Sequence, residues 1–286
     1  MRDSPRPSRR ASSAPRRPPG TVSLERALSK LGIASRSEAR ALILCGRVTV
    51  GGRLATDPRE AVVPERAAIA IDRRPVGARA PTVVVALNKP KGVVTTRRDP
   101  EGRPTVHELV RGAVPRVDAV GRLDLATTGL LLMTNDTQLA AALTDPSIGL
   151  VRRYLVTVRG AVDDARLKSL ERGIVDRGEL LQAARADATK RSHRETHVVV
   201  ELQEGRNREI RRMFAALGHD VTRLKRVAFG PIELGDLPSG RWRALKPEEV
   251  KLLAAAAGRG QVARGGRTGR AAPLHARNAK RRAPDA

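Results

Sequence analysis

The sequence predicts an α+β protein. Its main body is built on a mixed or antiparallel sheet and is preceded by a smaller module of two helices and a hairpin. Three observations carry this. Short Val- and Leu-rich runs alternate with helix-spaced apolar residues along positions 83–257, yet without the strict strand–helix–strand rhythm of a doubly wound sheet. Helix starts and stops are marked by capping residues and glycines. Residues 1–20 and 258–286 are rich in Arg, Gly and Pro with few large apolar side chains, so they read as disordered basic tails around a folded interior. With 286 residues the chain is long enough for one large domain or two smaller ones.

The elements follow in order. Residues 21–72 form the first module. Leu24, Ala27, Leu28 and Leu31 share one helix face, and Gly32 closes that helix. Ser35 and Glu38 read as a capping box for a second helix, with Ala39, Leu42 and Ile43 inward and Gly46 as its stop. Arg47 to Val50 alternates, turns at Gly51-Gly52 and returns through Leu54 as a hairpin. Arg26, Lys30, Arg36, Arg40 and Arg47 are left on the outside. A solvated basic face on an ordinary helical pair is the plainer alternative, but the order of helices, caps and hairpin resembles an S4 RNA-binding domain. The resemblance makes Arg26, Arg36, Arg40 and Arg47 candidates for RNA contact.

Residues 73–82 hold two prolines and read as a flexible linker. The body then runs through strands at Thr82–Leu87 and Leu130–Thr134, and a helix capped by Asp136 or Thr137. A strand at Tyr154–Val158, a helix at Asp163–Arg172 and a strand at His197–Leu202 follow. Asn207 is expected to cap a helix that turns Ile210, Met213, Phe214 and Leu217 inward and ends at Gly218. Val221–Phe229 is a strand, and Pro247 with Glu248 and Glu249 opens a last helix.

Composition narrows the partners. The net charge is +25 and the pI about 11.6, which favours a polyanion, most often nucleic acid. The two tails carry net +5 and +7, so the body between them still holds +13. No apolar run approaches the roughly 18 residues of a membrane span. The Arg-rich start lacks the apolar stretch of a secretory signal. A single cysteine, Cys45, excludes an intrachain disulfide and a two-cysteine zinc site. Aromatics are limited to Tyr154, Phe214, Phe229 and Trp242, which argues against RNA-binding sheets built on stacked aromatics. There is no Walker A or dinucleotide-binding glycine pattern. His193 and His197 flank a loop-to-strand segment and are not expected to share a metal.

The stretch GRLDLATTGLLLMTND, residues 121–136, places Asp124 at the mouth of a buried strand. Alone, Asp124 reads as a turn acid bonded to local N–H groups. Three other segments bring cations to strand ends or helix surfaces: NKPKG with Lys89 and Lys91, RRYLVTVRG around Tyr154, and EGRNREIRRM with Arg208, Arg211 and Arg212. These four motifs in this order resemble the S4-containing family of bacterial rRNA pseudouridine synthases (the RsuA/RluB type), over residues 22–253. The phrase RDPEGRPTV and the basic C-terminal tail resemble the large-subunit branch.

The resemblance implies a cofactor-free isomerisation of a uridine of 23S rRNA, flipped out of its stack. It assigns the catalytic carboxylate to Asp124, acting either as nucleophile at C1′ or as base at C2′. It assigns Tyr154 to the face of the uracil, and the basic partner of the aspartate to Arg211, with Arg212 as the alternative. Arg122, Lys89, Lys91, Arg208 and Arg212 are expected to contact RNA. A cytoplasmic monomer working on pre-ribosomal particles follows, with no metal. A 16S-specific enzyme, or a non-catalytic assembly factor on the same scaffold, is the rival. Departures are small: Thr137 stands where the family commonly has Gly, Arg153 where it has Lys, and Gly51 where it has Asn.

Overall fold

A computed structural model describes residues 20–76, 81–112 and 116–265, with side chains as far as 258. Most of the expected tails therefore lies outside the described residues. The chain divides into two compact units, Met1–Thr144 with Leu234–Leu245, and Asp145–Glu233 with Lys246–Ala286. The α+β expectation holds, and within each unit the paired strands are antiparallel.

In the first unit, α1 (Leu24–Lys30) and α2 (Arg36–Leu44) form the expected pair. Leu24, Ala27 and Leu28 meet Ala39, Ile43, Val48 and Ile69 in a small core. Both halves of the capping box form: Ser35 Oγ accepts the Glu38 N–H at 3.2 Å, and Glu38 Oε2 accepts the Ser35 N–H at 2.9 Å. A cap of this kind contributes about 1 kcal/mol. Val48–Val50 and Arg53–Leu54 pair across Gly51-Gly52, whose φ values of 57° and 79° give the doubly left-handed turn that suits hairpin twist. Ile69–Ile71 and Arg74–Pro75 extend this to four strands. Arg74–Pro75 thus belongs to the sheet rather than to a linker; Pro75 is tolerated because its strand is an edge.

Positions 77–80 of the expected linker lie outside the described residues, and the module touches later parts of the same unit. Arg116, from the segment after α3 (Val106–Leu109), ion-pairs with Glu38 of α2. A side chain at Gly32 would come within 3.6 Å of the Asn135 carbonyl. The Ser35 backbone N–H, then Arg116, draws the Glu38 carboxyl down to about 2.

The same unit holds Val84–Lys89 paired with Thr128–Thr134, with Leu87 opposite Leu131. Asp118–Ala119 and Trp242–Ala244 flank them. One face packs Val85, Leu87, Leu131 and Met133 against Val93, Val106, Val110 and Leu123. The alternate residues Val84, Ala86, Leu130 and Leu132 are buried as well. Burial on both faces is why this strand reads as a continuous apolar run instead of alternating. α4 (Thr137–Thr144) is capped by Asp136, whose Oδ1 accepts from the Gln138 and Leu139 N–H groups at 3.0 Å each.

In the second unit, Arg185–Arg191, Glu195–Leu202, Arg152–Arg159 and Val221–Phe229 lie side by side in that order. α5 (Asp164–Arg172) and α6 (Glu209–Ala216) bring Leu167, Leu170, Ile210, Met213 and Phe214 into one core with Tyr154, Val156, Val158, Val198 and Val200. Arg185–Arg191 escaped the sequence reading because it is an edge strand of mostly charged side chains. A hairpin of Ile174–Asp176 and Glu179–Leu181 escaped it too. α7 (Pro247–Gly265) starts on its proline as expected. It overlaps the segment assigned to the C-terminal tail, since a nucleated helix propagates at little cost per residue.

Candidate active site

The candidate residues fall in both units. Lys89, Lys91, Arg122 and Asp124 belong to the first; Tyr154, Arg208, Arg211 and Arg212 belong to the second.

Asp124 is an exposed side chain on a loop whose neighbours are held one by one. The Thr95 hydroxyl donates to the Leu123 carbonyl at 2.8 Å and accepts the Leu123 N–H at 3.3 Å. The Gly92 N–H donates to the Leu125 carbonyl at 2.9 Å. The Thr127 N–H closes a turn onto the Asp124 carbonyl at 3.0 Å, and the Thr127 carbonyl accepts from Lys89 Nζ at 2.9 Å. Leu123 is buried beneath the loop and the fully buried strand begins just beyond it. The result is a carboxylate in solvent on a backbone fixed on both sides.

Lys89 is not a surface cation, which corrects the expectation that it meets RNA phosphate. It is fully buried, because the strand ends at Pro90 and turns Nζ inward, where it donates to the carbonyls of Pro90 at 3.0 Å and of Thr127. Burial pushes its ammonium down to about 8, against the opposing pull of the Asp124 carboxylate. Lys91 and Arg122 are exposed, as an RNA-contacting role requires.

Tyr154 lies in the second unit's core at 8% exposure, packed in one cluster with Ile210 of α6. The pairing of its strand with Val221–Phe229 shifts register between Arg153 and Tyr154. Such a bulge re-aims a side chain, and bulges recur beside active sites. Two buried arginines adjoin Tyr154, Arg152 two residues earlier and Arg226 opposite it in register; their burial had no signal in the sequence. Arg152 and Arg226 lie with their guanidinium carbons 5.0 and 5.1 Å from the centroid of Phe229, within cation–π range. Arg152 donates Nη1 to the carbonyls of Leu150 and Gln203 at 3.0 and 3.1 Å. Burial pushes its guanidinium below the ordinary arginine range.

α6 starts differently from the expectation. Its N-cap is Arg208 at φ 51°, not Asn207, and no side chain caps it. Glu209 Oε2 instead accepts the Arg206 N–H at 3.0 Å. Arg208 is exposed. Arg211 is half-buried and donates Nη1 to the Val221 carbonyl at 2.8 Å. Arg212 does not serve as a free RNA contact or as the alternative basic partner. It clamps the 174–181 hairpin, donating to Asp176 Oδ2 at 2.5 Å, Glu179 Oε2 at 2.6 Å and the Asp176 carbonyl at 3.0 Å. Two carboxylates reach it because the hairpin brings Asp176 opposite Glu179.

In the S4-like module Arg26, Arg36 and Arg40 are exposed. Arg47 is exposed but ion-paired with Asp72, so it carries less free charge than its position implied. Among the described residues no group of three His, Cys, Asp or Glu is placed to hold a metal. His197 instead bonds Glu195 at 2.9 Å.

Residues 83–216 match the RNA pseudouridylate synthase family, and residues 23–66 match the S4 domain. An uncharacterized RNA pseudouridine synthase of Aquifex aeolicus is 38% identical, covering 83% of this chain and 95% of its own. Ribosomal large subunit pseudouridine synthase B of Bacillus subtilis is 35% identical, covering 84% and 98%. The protein of that name in Pseudomonas aeruginosa is 39% identical, covering 87% and 66%. A crystal structure of a pseudouridylate synthase matches with a TM-score of 0.57 and 27% identity, over 81% of this chain and 99% of that one.

Proposed function

Since the chain belongs to the S4-bearing RNA pseudouridine synthases, we propose that it isomerises one uridine of 23S rRNA, with Asp124 as the catalytic carboxylate. The observation that carries this is the exposed Asp124 side chain on a loop pinned by Thr95, Gly92 and Lys89. A carboxylate that must act on one sugar carbon gains from a backbone that does not move. In the reaction the C1′–N1 bond breaks and a C1′–C5 bond forms. The C5 proton leaves and N1 takes one up, so no electrons are gained or lost and no redox cofactor is demanded.

Asp124 attacks C1′ or removes the C2′ proton. Tyr154 packs on the uracil and assists loss of the C5 proton. Arg211 supplies the positive charge against which negative charge develops. Lys91, Arg122 and Arg208 hold phosphates, and the S4 domain with the basic tails supplies salt-sensitive affinity. The large-subunit assignment rests on relatives named as large-subunit enzymes. The protein acts as a cytoplasmic monomer on pre-ribosomal particles; no described helix is long and apolar enough to cross a membrane.

The test is a pseudouridine map of all rRNA, by carbodiimide labelling and primer extension, in a strain lacking the gene and in its parent. One 23S uridine is expected to lose its signal in the deletion. Loss in 16S rRNA instead overturns the target, and two identical maps favour a non-catalytic RNA-binding factor.

A further inference from the structure

Glu209 is left unused by the reaction just described. It is the first residue of α6, two positions before Arg211, and is 3% exposed. Its Oε2 accepts the Arg206 N–H, while no donor reaches Oε1 among the described residues. Few charged groups face it. Glu204 presents its carboxyl within hydrogen-bonding reach, Arg206 lies beside it, and Arg152 acts on it from the neighbouring strand. The Arg206 guanidinium is itself engaged with Glu204 at 2.9 Å.

A buried carboxylate oxygen without a donor is costly. Two facing carboxyl groups relieve the cost by holding one proton between them. The helix N-terminus, Arg206 and Arg152 favour ionisation of Glu209, whereas burial and Glu204 oppose it. Burial, first, and then Glu204 prevail, raising the Glu209 carboxyl to about 7.

We propose that Glu209, by sharing a proton with Glu204, is a positioning residue that locks residues 204–208 onto α6 and presents Arg208 and Arg211 to the RNA in one arrangement. This rests on the pseudouridine synthase reading. The loop needs a lock because Arg208, at φ 51°, occupies a region that few side-chain-bearing residues adopt. When the proton leaves, two carboxylates face each other, the contact becomes repulsive and the loop opens. Apparent RNA affinity then falls with the fraction of chains still locked.

The test measures KM and the single-turnover rate on an rRNA fragment below and above neutral pH, for wild type, Glu209→Gln and Glu204→Gln. Exchange at the Arg206 amide is followed in parallel in the RNA-free protein and corrected for its intrinsic pH dependence. The Glu209→Gln amide still accepts from Arg206 and donates to ionised Glu204, so it imitates the protonated pair at every pH. Wild-type KM is expected to rise as pH climbs through about 7, where the shared proton is lost. Both variants are expected to keep a flat KM and the wild-type rate at saturation, and only wild type should lose Arg206 protection.

A wild-type KM that does not change with pH, or a Glu209→Gln KM that rises as wild type does, overturns the proposal. If Glu209→Gln fails to fold, Glu204→Gln carries the same expectation from a more accessible position. If wild type forms no pseudouridine in any rRNA fragment, the functional reading fails, and loss or persistence of Arg206 protection still decides the lock.

Discussion

The loop around Asp124 and the loop before α6 hold their charged side chains in opposite ways. Around Asp124 the anchors are a hydroxyl, a backbone N–H and a buried ammonium, each bonded to a main-chain group, and the Asp124 carboxylate makes no part of the scaffold. Before α6 the anchor is itself a carboxyl, set against another carboxyl, and the loop it holds includes a left-handed arginine. Fixing a side chain through its neighbours' carbonyls keeps its own oxygens out of the scaffold. Fixing a loop through a shared proton makes its geometry conditional.

Substitutions can break or sharpen this contrast. The largest effect short of Asp124 is expected for Tyr154→Phe. It keeps the packed ring and removes the hydroxyl, so kcat should fall by roughly 10²–10⁴-fold with little change in thermal stability. Next, replacing Glu209 tests the conditional anchor through folding. Glu209 is raised from 4.5 to about 7, so between these values the folded chain holds a proton that the unfolded chain releases. Its stabilisation is full below pH 4.5 and is lost as pH climbs through about 7, by up to about 3 kcal/mol. Urea unfolding of Glu209→Gln should lack this decline.

Lys89→Met tests the other anchor. Losing the ammonium leaves the Pro90 and Thr127 carbonyls without their donor and lets the loop drift. Turnover should then fall by up to about 10²-fold, while the protein stays folded because a buried charge has also been removed. The smallest effect belongs to Lys91→Ala. KM should rise less than about tenfold, and the salt dependence of binding should flatten by about one unit of slope, as for one lost phosphate contact.

The contrast also shows what a sequence can disclose. The run 130–133, the Ser35–Glu38 box and the Gly51-Gly52 turn were legible because each rests on local spacing or local backbone chemistry. Lys89 and Lys91 were not separable, since they flank one proline and differ only in which way the chain turns Nζ. Arg212 looked like a free cation because its partners arrive from a hairpin more than thirty residues upstream. Glu209 drew no reading of its own from the sequence, because its burial depends on a core assembled from distant strands. The role of Thr95 has no local signal at all, as its hydroxyl meets Leu123 across 28 residues.

The central claim is that Asp124 performs the chemistry. It is tested most directly by incubating Asp124→Asn with an rRNA fragment carrying tritium at uridine C5 and counting tritium released to water. The expected result is no release above background and no pseudouridine, with RNA affinity within a few-fold of wild type. Release at the wild-type rate would contradict it.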